Sequence, residues 1–155
     1  MFAWFQRIGR MHRRAFLALS ATATVGGCIG NGGSGDESES YDDDWFEDVG
    51  NYDSEVDVTG ESTATVKVGG GSDNLAFAPA AIRVSTGTTV VWEWTGKGGR
   101  HNVVDDEGEF ESEYHEEGNA TFEYTFDSTG VYQYYCDPHR GLGMKGGVRV
   151  VDEEE

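Results

Sequence analysis

The sequence predicts an all-β domain, a sandwich or barrel of short strands, preceded by an N-terminal segment that does not belong to it. Three observations carry this. From about Thr63 onward the residues alternate with period two and are rich in β-branched and aromatic types. Gly-, Asn- and Asp-rich joints separate most of the alternating runs. No long stretch has helical apolar spacing, and strands do not alternate with helices, which points away from an α/β sheet.

Taken in order, residues 1–28 read as an export signal. Arg13-Arg14-Ala15-Phe16-Leu17 matches a twin-arginine pattern, and an apolar run from Ala15 to Gly27 follows it. As a helix that run spans about 20 Å, short of the ~30 Å of a bilayer core, so it is read as a signal rather than a membrane span. It closes on Val25-Gly26-Gly27-Cys28, similar to a lipobox, whose cysteine is lipidated and becomes the first residue. Met11 lies just before the twin arginines, so translation could start there or at Met1. Residues 29–60 are expected to be a flexible acidic tether. Gly30 to Gly35 has linker composition and Asp36 to Asp44 is an acidic run. Trp45, Phe46 and Tyr52 interrupt it and are read as incidental.

The domain is placed at 61–151, with an acidic tail at 152–155. Expected strands are 63–68, 81–85, 88–94, 101–104, 120–126, 131–135 and 145–151. Val90, Trp92 and Trp94 share one face of a strand, as do Phe122, Tyr124 and Phe126, and both sets are assigned to the core.

Charge narrows the functions. The chain has 11 Lys+Arg and 29 Asp+Glu, a net charge of -18. Residues 1–28 hold four of the arginines and no acid; without them 7 basic and 29 acidic residues leave -22. Nucleic acid is excluded as a partner, because binding it needs cations facing phosphates. The acid-rich, lysine-poor composition fits life in high salt, which screens self-repulsion.

The chemistry gathers near the C-terminus. Tyr135-Cys136-Asp137-Pro138-His139-Arg140-Gly141-Leu142-Gly143-Met144 holds a thiol, an imidazole and a thioether in one short loop. His101 lies far upstream, at another strand's start. Two imidazoles, one thiolate and a weak axial thioether are the donor set of a trigonal His₂Cys copper site, so His101, Cys136, His139 and Met144 are assigned to one copper ion. Structural zinc would want four strong donors and no thioether. A binuclear copper centre would want a second cysteine in the loop. A Cys-His hydrolase would leave Met144 without a role. Cys28 and Cys136 are given separate uses rather than a bridge. His115, in the acidic stretch Glu113 to Gly118, is expected to be solvated, and with His12 it completes the histidines.

Residues 72–151 resemble the type 1 copper proteins, or cupredoxins, plastocyanin above all. The acidic composition and lipoprotein-like start are similar to the halocyanin branch. The resemblance rests on Leu75-Ala76-Phe77-Ala78-Pro79, His101-Asn102, and Gly130-Val131-Tyr132-Gln133-Tyr134-Tyr135-Cys136 through Met144-Lys145-Gly146. It implies a Greek-key β-sandwich with copper near one end and a one-electron carrier rather than an enzyme. It also implies three strong ligands, His101, Cys136 and His139, with Met144 axial. Asn102 is then the residue tying the two ligand-bearing segments together. His139 is expected to be the exposed ligand, with Leu142 and Pro138, and Ala78 and Pro79 from another strand, as an apolar rim. A monomer, lipid-anchored at Cys28 on the outer face of the cell membrane and serving membrane redox proteins, completes the expectation. Copper delivery without electron transfer is the competing function.

Overall fold

The computed structural model describes residues 39–152. The signal with Arg13, Arg14 and Cys28, the first part of the tether and the tail beyond Asp152 lie outside the described residues. Among the described residues, no helix is long and apolar enough to cross a membrane.

Among the described residues, nine strands form two sheets. They are β1 (Val56–Asp57), β2 (Thr63–Gly70), β3 (Ala76–Ala78), β4 (Ala81–Ser85), β5 (Thr88–Trp94), β6 (Val104–Asp105), β7 (Thr121–Phe126), β8 (Gly130–Tyr135) and β9 (Lys145–Val151). One sheet has the order β1-β4-β9-β8-β6, the other β3-β2-β5-β7. β2 and β5 pair in parallel, as do β4 and β9, while β8 and β9 form an antiparallel pair. From β3 to β8 each strand crosses to the other sheet, giving the sandwich that the period-two patterning allows and the Greek-key form that the resemblance implies.

The core lies between the sheets. β5 alternates buried and half-buried residues along its whole length, which puts Val90, Trp92 and Trp94 inside. Trp92 is its centre: ring centroids of Phe110, Phe122 and Tyr134 lie 5.4, 5.6 and 5.3 Å away. In β7, Phe126 is buried, whereas Phe122 and Tyr124 are only partly so. Phe110 comes from the acidic loop, outside any strand, and its ring lies 4.9 Å from that of Tyr124.

β1 and β3 were not expected, being two and three residues long, too short to show a period. The expected strand 101–104 narrows to Val104–Asp105, with His101 in an isolated bridge to His115.

The tether reading of 29–60 also needs correction, because its second half is folded onto the sandwich. Successive turns close at Trp45 N–H to Asp42 O (2.9 Å), Val49 N–H to Phe46 O (3.1 Å) and Tyr52 N–H to Val49 O (3.1 Å). Trp45 is only 7% exposed and Val49 is buried too. Phe46 stacks on Tyr52 with centroids 3.9 Å apart. β1 then pairs in parallel with β4, Val56 opposite Ile82. Of the residues read as incidental, Trp45 is buried on the sandwich and Phe46 packs between Tyr41 and Tyr52, so part of the segment's attachment is apolar.

Candidate metal centre

Three of the four expected donors come from one hairpin end. Cys136 follows β8 and Met144 precedes β9, and these strands are neighbours in register, Tyr135 opposite Lys145. Cys136 N–H donates to Met144 O at 3.0 Å and closes the loop. Between them Asp137–Leu142 forms one short 3-10 helix, started by Pro138, whose locked φ suits a first helical turn. Gly143 ends it in the left-handed region (φ 84°), where a side chain would be strained. Met144 N–H then donates back to His139 O at 3.2 Å. Cys136 and Met144 are both fully buried, and His139 is half-buried.

His101 arrives from the segment after β5, 35 positions before Cys136. Its backbone exchanges two hydrogen bonds with His115, 3.0 and 2.9 Å, and its carbonyl also accepts the Trp94 indole N–H at 3.0 Å. His115 is therefore not a solvated loop residue: it is half-buried and packs edge-on against Trp94, with centroids 4.9 Å apart. Asn102 Oδ1 accepts the Asp137 N–H at 2.8 Å, which joins the His101 segment to the ligand loop.

The donor atoms converge. His101 Nδ1 lies 3.1 Å from His139 Nδ1 and 3.7 Å from Cys136 Sγ, and His139 Nδ1 lies 3.5 Å from that sulfur. Metal bonds of about 2.0 Å to nitrogen and about 2.3 Å to sulfur set in a trigonal plane require donors about 3.5–3.8 Å apart. The triangle is close to that size. Among the described residues, His101, Cys136 and His139 form the group of His, Cys, Asp or Glu donors within reach of one ion.

Two features prepare the set. Lys97 O lies 2.8 Å from His101 Nε2, so that nitrogen carries the proton and Nδ1 is left as a bare donor to a metal. Burial also pushes the His101 pKa down, favouring the neutral imidazole that a metal needs. For Cys136, burial pushes the thiol pKa up, while N–H groups of Asn102 and His139 pull it the other way. A buried thiol held by such donors suits a metal that supplies the positive charge. The residues present thus fit a copper ion.

The family model for copper binding proteins, plastocyanin/azurin family, matches residues 64–151. The chain belongs to this family. Among its plastocyanin/azurin-family relatives, a halocyanin from Natronomonas pharaonis is 52% identical over 103 residues, 64% of this chain and 63% of the relative. The chloroplastic plastocyanin of Physcomitrium patens is 41% identical over 103 residues, 60% of this chain and 61% of that one. The chain thus spans a little under two thirds of the length of either. Among solved structures, oxidised plastocyanin from Dryopteris crassirhizoma is 27% identical with a TM-score of 0.47, covering 57% of this chain and 100% of that one.

Sequence reasoning missed four contributors to the copper-family site, Lys97, Tyr114, Trp45 and Asp48. The Lys97 carbonyl is a backbone atom and leaves no trace in residue type. Tyr114 donates its hydroxyl to Asp137 at 2.8 Å, pinning the start of the ligand helix. Trp45 and Asp48 reach the loop from the N-terminal segment, and the aromatic pair Trp45-Phe46 inside an acidic run was the signal for them.

Proposed function

We propose that this chain is a one-electron carrier with a single copper centre, and not an enzyme. The observation that carries the reading is the convergence of two imidazole nitrogens and one buried thiol, within 4.8 Å of one another, at the end of a sandwich. Met144, fully buried at the close of the same loop, would supply a weak thioether donor to the ion in this reading. A copper ion bound there supplies a Cu(II)/Cu(I) couple, because imidazoles suit both states and sulfur holds Cu(I).

The chain's own residues do the rest. Lys97 fixes the His101 ring, Asn102 fixes the loop against it, and burial keeps water from Cys136. Held in this way by hydrogen bonds to Lys97, Asn102 and the loop backbone, the donor residues would need little movement to hold copper in either oxidation state. His139 is the half-exposed member of the set, so it is the ligand that a partner can approach.

The test is optical. The oxidised protein with one copper absorbs strongly in the visible and bleaches reversibly on reduction. Cys136→Ser abolishes that absorption, since an alcohol is a poor substitute for a thiolate. A Cys136→Ser protein that keeps the colour would overturn the assignment. Met144→Gln keeps the colour and shifts the potential, as a weak axial bond implies.

We also propose that the carrier is a monomer anchored at the outer face of the cell membrane, exchanging electrons with membrane redox proteins. Support for this comes from the sequence pattern: twin arginines Arg13 and Arg14, and the lipobox-like ending at Cys28. Lipid on Cys28 supplies local concentration, and two or more acyl chains hold stably where one is marginal. In the native host, Cys28→Ser moves the protein from the membrane pellet to the soluble fraction. Unchanged pelleting, with no lipid mass on the N-terminal peptide, overturns the anchor.

A further inference from the structure

The N-terminal strap, residues 41–58, precedes the stretch that matches the copper-protein family, 64–151. It touches the ligand loop on both sides of Met144. On one side Trp45 donates its indole N–H to the Gly146 carbonyl at 2.9 Å, a buried hydrogen bond. On the other, Gly143 lies against the Asp48 carbonyl so closely that a Cβ there would run into it. The Trp45 ring also faces two cations of the hairpin: Lys145 Nζ lies 5.3 Å and the Arg140 guanidinium 5.9 Å from its centre.

The strap is fastened independently of that loop. Asn51 Nδ2 donates to Phe77 O in β3 at 2.7 Å. Glu55 accepts from Arg149 in β9 at 3.0 Å and from the Tyr41 hydroxyl at 3.1 Å. Val56 pairs with Ile82 in β4. The strap therefore ties the ligand hairpin of one sheet to β3 in the other. The loop's own bonds, Met144 N–H to His139 O and Cys136 N–H to Met144 O, hold its shape but do not fix it against the second sheet.

We propose that Trp45 is a positioning residue for the copper centre: with Asp48 it fixes the backbone on both sides of Met144, and so sets how closely the thioether approaches a metal held by His101, Cys136 and His139. A long axial bond is too weak to set its own length, so the backbone around Met144 sets it. The inference rests on the copper reading above.

The experiment uses the full chain and three variants. Trp45→Phe keeps a ring and loses the N–H, and Trp45→Ala loses both. Val49→Ala thins the same strap without removing a bond to the loop. In the metal-free protein, amide exchange at Met144 and Lys145 rises about fivefold in Trp45→Phe, the size of one lost hydrogen bond, while Trp92 in β5 is unmoved. With copper added, the visible band ratios and the reduction potential shift in Trp45→Phe and shift further in Trp45→Ala. Val49→Ala stays close to the parent in both. A blue parent whose Trp45 variants keep its spectrum, potential and loop exchange overturns the positioning role alone. Equal shifts in Val49→Ala and Trp45→Phe also overturn it, leaving general packing as the strap's contribution. A parent that gains no colour with copper overturns the copper reading and this role with it.

Discussion

Asp105 shows how one residue can carry a cost that the sequence hides. It looks like one more acid in an acidic loop, yet it is 3% exposed. Its Oδ2 accepts the Glu109 N–H at 2.9 Å, and burial raises its pKa above the ordinary carboxylate value. The folded state then holds a proton that the unfolded chain has already released. Stability therefore falls as pH rises from the unfolded value, about 3.9, through the raised folded value. Asp105→Asn keeps an oxygen for the Glu109 N–H and removes the buried charge. The metal-free variant should melt roughly 3–6 °C above the parent at neutral pH, and the gain should vanish below about pH 3.9. A gain that persists in acid would mean that charge burial is not its cause. The ligands are legible at this scale because Cys, His and Met carry their chemistry in the side chain. The His101 tautomer is not, because the Lys97 group that sets it is a carbonyl that every residue possesses.

At the scale of elements, the longer strands bounded by turn residues were the legible ones. β4, β5 and β9 have the bounds that alternation and turn residues predict. The 3-10 helix at Asp137–Leu142 was not foreseen, because three residues per turn over six residues leaves no apolar stripe. It brings Leu142, 65% exposed, to the surface three residues beyond His139. If the chain is the electron carrier proposed above, the exposed Leu142 beside His139 is the contact point to test for a partner or a second copy. Leu142→Glu should slow electron self-exchange about tenfold at low salt, because two like charges now face each other across the contact. The visible spectrum and Tm should stay at parental values. If the rate holds in Leu142→Glu and falls instead in Asp106→Asn, the docking face is the acidic loop.

For the whole molecule, charge dominates. Four ion pairs are present among the described residues, Lys67–Glu93, Arg83–Asp57, Arg140–Asp106 and Arg149–Glu55. They offset few of the 29 acids in the chain. At about 0.1 M salt the screening length is ~10 Å, comparable with distances between surface carboxylates; at 1 M it is ~3 Å. The Tm of the metal-free domain should rise by roughly 10 °C between dilute and molar salt, on the order of 2 kcal/mol for a domain this size. Monovalent salts should act alike. A flat dependence would remove salt adaptation as the reason for the acids and leave them as a docking surface.

The sequence by itself determined an all-β sandwich or barrel and the donors His101, Cys136 and His139, while the Greek-key form and the joining role of Asn102 came from the family resemblance. Period-two alternation and the chemistry of particular side chains are local properties, readable along the chain. Only the tertiary structure decided that Trp45 is buried on the ligand loop, that His115 pairs with His101, and that Phe110 leaves the acidic loop to fill the core. These depend on contacts between residues far apart in sequence. Trp45 and Gly146 are 101 positions apart, and the acidic run around Trp45 points to solvent rather than to the strand that holds Gly146. Burial free energy is a property of the surface that covers a side chain, and that surface exists only once both sheets have closed.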